Sequence, residues 1–351
     1  MRRGGNHKRG PQSQREHSWT RLSDEKLLNL RICDLGLKIE GTPIEPRIQQ
    51  LYGELDNCGL RLRPRCWLSS EWFSPHEAPG IAIPFYLAHP RLRRLEAQQM
   101  KEVEGGTKSW CMQLLRHEAG HSYETAYRLA RRKSWQKLFG RATRPYPDFY
   151  NPRPVSRNFV LHLDWWYAQS HPVEDFAETF AVWLRPGEHW RKRYKGWPAL
   201  EKLEYVDELM KELSRKSPPV KFRDEVDPVN RLRQTLRGYY QGKQKRYGSN
   251  YPEPYDHDLV RLFPLPNHPN SYPSASAFLH RVSPELRRRV SSWTGESAYT
   301  ISCVLKDMIQ RSRQLDLRVC RPASELKLDA AILLTMQTMN YLFSRHHHIA
   351  V

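Results

Sequence analysis

Cysteine is scarce in this chain and unpatterned. Cys33, Cys58, Cys66, Cys111, Cys303 and Cys320 are scattered over 351 residues with no CxxC pair. That spacing speaks against a zinc ribbon and against a disulfide framework, and reduced, buried thiols are expected. Long apolar runs are missing too: stretches such as residues 330–334 fall far short of the roughly 20 residues that cross a bilayer, so no membrane span is expected. No apolar segment follows the paired Arg2 and Arg3, so neither a secretory nor a twin-arginine leader is expected, and the expected compartment is the cytoplasm. Acidic residues are in deficit, 38 Asp and Glu against 57 Lys and Arg, for a net charge of +19. Such a surface attracts polyanions non-specifically. No RNP, zinc-finger or basic-zipper motif accompanies the charge, and Arg131-Arg132-Lys133 and Arg287-Arg288-Arg289 read first as solvated helix faces.

Hydrophobic residues make up 39% of the chain, enough for a sizeable core. The length suggests two units. Residues 1–18 read as a disordered basic tail and residues 19–263 as the main domain. Pro264, Pro266, Pro269 and Pro273 mark a linker at 264–274, and residues 275–351 read as a small all-α region of open role. Within the main domain, Ser23 caps a first helix, and Ile48, Leu51, Tyr52 and Leu55 form the apolar side of a second. Alternation over 60–68 and 81–87 predicts strands. Pro84 donates no ladder hydrogen bond, which places the second strand at a sheet edge where an extended peptide could add by β-augmentation. Helical periodicity runs over about 107–131, from Pro172 to Leu184 and from Leu200 to Leu213, and residues 159–161 suggest a short strand.

His117-Glu118-Ala119-Gly120-His121 is an HExxH motif. On a helix its histidines stand at i and i+4, side by side on one face and able to share a metal. Neutral imidazole suits zinc, and Glu118 between them is placed to take a proton from a water acidified by the metal. A second pair, Glu174 and Glu178, repeats the i, i+4 spacing on a helix whose other side is apolar. One of these carboxylates could ligate the metal while the other accepts the outer ring N–H of a zinc histidine. The separation from His121 to Glu174 does not by itself force the helices together. His346-His347-His348 reads as a terminal tail with loose metal affinity.

His117 to His121, together with His171-Pro172-Val173-Glu174-Asp175-Phe176-Ala177-Glu178-Thr179-Phe180, resembles the bacterial putative zinc-binding metallopeptidase family. That family is similar to the gluzincins, including the catalytic domain of anthrax lethal factor. The likeness covers about 22–263 and includes Cys33-Asp34-Leu35-Gly36-Leu37, Ile81-Ala82-Ile83-Pro84-Phe85-Tyr86-Leu87-Ala88-His89-Pro90 and Trp166-Tyr167-Ala168-Gln169-Ser170-His171-Pro172. It implies an α+β, zincin-like fold in which a small mixed sheet with an edge strand accompanies the HExxH helix and the glutamate helix. It also implies a Zn2+ cofactor on His117, His121 and Glu174, support from Glu178, and a peptide or protein substrate. Tyr167, seven residues before Glu174, matches a tyrosine that donates to a developing oxyanion. His171 could serve instead as donor or ligand, or simply cap the helix ahead of Pro172. Hydrolysis of peptide bonds with Glu118 as general base is the expected activity. The alternatives are a zinc-stabilised nucleic-acid-binding protein and an inactive zincin scaffold for protein interaction.

Overall fold

The computed structural model describes residues 17–76, 78–147, 149–150, 153, 156–247, 256–264, 272–345 and 349–350. Helices α1 (Asp24–Leu28) and α2 (Glu45–Asn57) lead into strands β1 (Arg65–Ser69) and β2 (Gly80–Pro84). Then come α3 (Pro90–Met100), α4 (Lys108–Tyr127), α5 (Lys133–Phe139), β3 (Phe149–Tyr150), α6 (Pro172–Leu184), α7 (Trp190–Arg193), α8 (Ala199–Leu213) and α9 (Leu236–Tyr247). The chain continues through α10 (Asp256–Leu262), α11 (Ala275–Thr294), α12 (Ala298–Gln314), α13 (Ala323–Arg345) and β4 (Ile349–Ala350). The described structure is mostly helical and agrees with an α+β class in that coarse sense.

The sheet differs from the expectation. It is a two-stranded parallel pair, β1 with β2, rather than a mixed sheet, and β3 pairs separately and antiparallel with β4. Strand β2 is buried at every position. It is not an open edge: β1 covers one side, and on the other the N–H of Ala82 donates to the carbonyl of Phe73 at 2.8 Å. Pro84 sits at its last residue, where the chain turns into a 3-10 helix, Phe85–Ala88. The ring ends the strand here rather than exposing it. Residues 159–161 form no strand, and the N–H of Leu161 is taken by the hydroxyl of Tyr194 at 3.0 Å.

Two helices carry the motifs, and local chemistry sets where each begins. Thr107 caps α4 through its side-chain oxygen, which accepts from the N–H of Trp110. In α6, His171 is the N-cap, Pro172 fills the first turn, and Glu174 and Asp175 place negative charge at the positive end of the helix dipole. The two helices then pack unusually closely. A β-carbon on Gly120 would lie 2.8 Å from Cα and 3.1 Å from the carbonyl oxygen of Ala177, so only glycine fits at this crossing. One turn further along, Tyr123 stacks on Phe180 at 5.1 Å.

Buried charge pairs fix the outer sides of both helices. Arg116, adjacent to His117, makes a bidentate pair with Glu54 of α2, Nε to Oε2 at 2.7 Å and Nη2 to Oε1 at 2.8 Å. Lys202 of α8 reaches Asp175 at 2.6 Å. The main apolar cluster runs from Trp19 to Tyr240 around α4 and α6. A separate cluster contains only residues between Leu259 and Leu334, from α10 to α13. Leu259, Leu262 and Phe263 thus pack with the C-terminal helices. The segments 1–16 and 265–271, which hold nearly all of the expected tail and most of the expected linker, lie outside the described residues. Order is already present at Ser18–Arg21, a 3-10 turn that buries Trp19.

The crossing makes two sharp expectations. Gly120→Val should drive α4 and α6 apart, costing about 1–3 kcal/mol as overpacking does, and should lower the melting temperature. Arg116→Ala strands a buried carboxylate and should cost about 3–5 kcal/mol, read from the urea midpoint. A shift within the error of the midpoint would show that the pair contributes nothing to the fold.

Candidate metal centre

The crossing brings three donor atoms together. Nε2 of His117, Nε2 of His121 and Oε2 of Glu174 lie 3.0 Å from one another, pair by pair. All three side chains are largely buried, and among the described residues this is the group of His, Cys, Asp and Glu side chains close enough to share a metal ion. Fifty-three residues of chain separate the last two donors, and the close contact of Gly120 with Ala177 is what closes the distance.

Orientation of the rings comes from the next layer of contacts. Nδ1 of His117 lies 2.8 Å from Oε1 of Glu178, whose second oxygen accepts the N–H of Leu163 at 2.8 Å. With Nδ1–H donating to Glu178, Nε2 of His117 keeps its lone pair for a metal, the arrangement by which a carboxylate selects the tautomer of a ligating imidazole. Glu174 is held from the other side: the hydroxyl of Tyr146 donates to its Oε1 at 2.8 Å, leaving Oε2 toward the histidines.

The electrostatics describe a site prepared for a cation. Burial opposes charge on Glu174, but His121 and His117 outweigh it and hold its pKa well below the usual carboxylate range. Burial likewise opposes protonation of His117, yet Glu174 and Glu178 raise its pKa well above that of free imidazole, so the lone pair of its Nε2 would be taken by a proton that a bound metal ion displaces. Glu118 is different. Burial raises its pKa, partly offset by His121 and His117, and its Oε2 is buried without a hydrogen-bond partner. An orphaned buried carboxylate oxygen needs an occupant. Two imidazoles and a carboxylate are the donor set of a catalytic zinc site, so the residues fit a zinc ion.

The two oxyanion candidates fare differently. The ring of Tyr167 lies 5.7 Å from that of His117, on a short 3-10 turn where Trp166 adopts a left-handed backbone (φ 54°) that bulky residues rarely take. Burial raises the Tyr167 pKa well above normal, so its hydroxyl keeps its proton. His171 has both nitrogens engaged: Nδ1 accepts from the N–H of Val173 at 3.2 Å, and Nε2 lies 2.8 Å from the carbonyl of Arg144, to which it donates. His89 does the same for α3, its Nδ1 accepting from the N–H of Arg91 ahead of Pro90. His-Pro is a helix-capping unit in both places.

Sequence reasoning missed Tyr146. It lies among prolines in a loop with no periodicity, 28 residues before Glu174, and no spacing rule points to it. Its ring stacks on His171 at 3.9 Å and 17°. His162 was also missed; it is buried and its Nε2 meets the carbonyl of Gln113 at 3.0 Å, tying the 159–163 segment to α4. The basic runs are partly paired, Arg132 with Glu212 and Arg289 with Glu285. The three C-terminal histidines lie outside the described residues.

The fold and its site thus define a two-histidine, one-glutamate centre across two helices. Residues 74–192, from just before β2 into α7, match the model of a family described as putative zinc-binding metallo-peptidase. No curated protein and no solved structure matches the chain. No helix among the described residues is long and apolar enough to cross a membrane.

Removing either supporting contact should weaken zinc binding while leaving all three donors in place. Tyr146→Phe retains the stack on His171 and loses only the hydroxyl, and Glu178→Gln loses the charge behind His117. Each should lower zinc affinity about 10–100-fold in a chelator-competition titration, with the melting temperature of the metal-free protein little changed for Tyr146→Phe. Wild-type affinity in both variants would show that neither contact tunes the site.

Proposed function

We propose that this protein is a zinc-dependent metallopeptidase of gluzincin type, with His117, His121 and Glu174 as zinc ligands and Glu118 as general base. The observation that carries the reading is the convergence of the three donor atoms at 3.0 Å beside a buried carboxylate with one unpaired oxygen. A zinc ion held there would supply a Lewis acid that polarises the scissile carbonyl and brings the pKa of water down towards about 7.

The chain's own groups supply the rest. Glu118, made more basic by burial, accepts the proton of the attacking water at its free Oε2 and hands it to the departing amine. Glu178 holds the His117 ring and its tautomer while charge changes in the site. Tyr167, protonated and beside His117, donates to the developing oxyanion. His171 closes the base of the site by capping α6 and anchoring the loop at Arg144, which favours Tyr167 as the donor. The substrate is a peptide or protein. An inactive scaffold would have no use for a desolvated, unpaired Glu118, so catalysis is the better reading.

Zinc content and cleavage separate the roles. Glu118→Ala should keep about one zinc per chain and lose about 10²–10⁴-fold in peptide hydrolysis, seen as loss of new termini in proteome-wide cleavage profiling. His117→Ala should lose the zinc, measured in a chain ending at Arg345 so that His346, His347 and His348 do not contribute. Equal cleavage by wild type and Glu118→Ala would remove Glu118 from the mechanism. Nucleic-acid affinity falling steeply with salt, with no cleavage by either protein, would instead favour a zinc-stabilised nucleic-acid-binding protein.

A further inference from the structure

The chain ahead of the glutamate helix has no regular structure over 156–163, yet it is fastened along most of its length. The carbonyl of Arg157 accepts the N–H of Ala199 at 3.1 Å, and that of Asn158 accepts from the ammonium of Lys202 at 2.7 Å. Val160 is buried among Val182, Trp190 and Tyr194, and the N–H of Leu161 donates to the hydroxyl of Tyr194. His162 then crosses to α4. Its Nε2 lies 3.0 Å from the carbonyl of Gln113, and the side-chain amide of Gln113 donates back to the carbonyl of His162 at 3.4 Å. The next N–H, that of Leu163, ends on Oε2 of Glu178 at 2.8 Å. Buried irregular chain has to satisfy its backbone groups in this way, and so many anchors hold the strip in one place.

The last of these contacts close a ring around a metal donor. It runs from Gln113 through His162 to Leu163, then through Glu178 to Nδ1 of His117, and back along one turn of α4. The carbonyl that His162 meets is the one whose helical partner is the N–H of His117, four residues on, and a carbonyl has two lone pairs to serve both. Glu178 is fully buried and gives one oxygen to His117 and the other to Leu163. Where the N–H of Leu163 stands therefore sets how the carboxylate meets the imidazole, and His162 fixes that point against α4. Burial lowers the pKa of His162, although Glu178 pulls the other way. Its ring is thus neutral at pH 7 with a single N–H, which the carbonyl of Gln113 assigns to Nε2.

We infer, on the reading of His117 as a zinc ligand, that His162 is a positioning residue for the metal centre. By anchoring the strip to Gln113 it aims the N–H of Leu163 at Glu178, and Glu178 in turn aims the ring of His117. A side chain that only filled the core would be replaceable by any other of its size, whereas here the N–H matters. His162→Gln offers a donor on its side-chain amide in place of Nε2–H, and His162→Leu fills the space with none. Neither strands an acceptor, because the carbonyl of Gln113 keeps its helical partner, so both variants should fold, checked by thermal melts.

Zinc affinity is measured on the full chain by chelator competition, with His117→Ala as the blank for zinc held elsewhere. His162→Leu should lower affinity about 10-fold, the lower end of what contacts behind a metal ligand contribute, and His162→Gln should restore most of it. In the zinc-loaded protein the Nδ1 proton of His117 should give a slowly exchanging proton resonance, kept in His162→Gln and lost in His162→Leu. Once Glu178→Ala has removed the intermediary, adding His162→Leu should cost nothing further. Wild-type affinity in His162→Leu, equal losses with Leu and Gln, or an undiminished loss on top of Glu178→Ala each overturns the role of His162. If Glu178→Ala does not fold, the comparison of Leu with Gln decides. Zinc uptake by His117→Ala equal to wild type would instead overturn the zinc assignment itself, and the role of His162 with it.

Discussion

Everything in the candidate centre depends on how closely α4 and α6 approach at Gly120 and Ala177. Two histidines at i and i+4 can share a metal by themselves, but Glu174 arrives from a different helix and must come within 3.0 Å of both. Helices bearing ordinary side chains at their crossing stand 8–10 Å apart. Glycine opposite alanine removes that spacer, with backbone atoms of Ala177 filling the place a β-carbon would take. The third residue inside HExxH is therefore as much a condition of the site as the flanking histidines.

Close packing of polar helix faces costs desolvation, and the structure offsets that cost with paired groups. Arg116 meets Glu54, Lys202 meets Asp175, and Glu178 is divided between His117 and the backbone of Leu163. Buried pairs of this kind add little net stability over an apolar packing, but leaving one member alone is expensive. Their effect is positional: each tethers α4 or α6 to a neighbour at a residue adjacent to a donor or at a donor's own ring. Glu118 and Asp175 each keep one buried carboxylate oxygen unpaired, and of the two Glu118 is the one that has no cationic partner and sits beside His117. Such exceptions mark places where something other than the resting fold completes the hydrogen bonding.

The loop between α5 and α6 shows how irregular chain is held over such a site. Nε2 of His171 fixes it at the carbonyl of Arg144, and the side-chain amide of Gln169 brackets both the N–H and the carbonyl of Arg153. Between these anchors, Tyr146 reaches down to Glu174. A histidine that caps a helix thus also pins a loop, and the same side chain supports a stacked tyrosine. The C-terminal helices stand apart from this arrangement, with an apolar cluster of their own.

What the sequence determined by itself was local: the i, i+4 pairing of His117 with His121 and of Glu174 with Glu178, the start of α6 at Pro172, and the helical periodicity of α4, α6, α8 and the C-terminal region. These follow from helix pitch, backbone sterics and capping, which act over a few residues. Pro84 shows the limit of such rules. Its missing N–H suggested an edge within a strand over 81–87, whereas the ring ends the strand, and whether that strand lay open depended on Phe73, which no periodicity links to Ala82. Spacing left Glu174 and Glu178 interchangeable and only the family resemblance separated them; tertiary structure decided that Glu178 meets His117 in particular while Glu174 turns its Oε2 to both histidines, that both nitrogens of His171 are engaged, and that Tyr146 joins the site from a proline-rich loop. Apart from the cap that His171 makes at Val173, those outcomes rest on contacts between residues 27 to 61 positions apart, and tertiary packing, not the spacing within either helix, brings such distances to hydrogen-bond range.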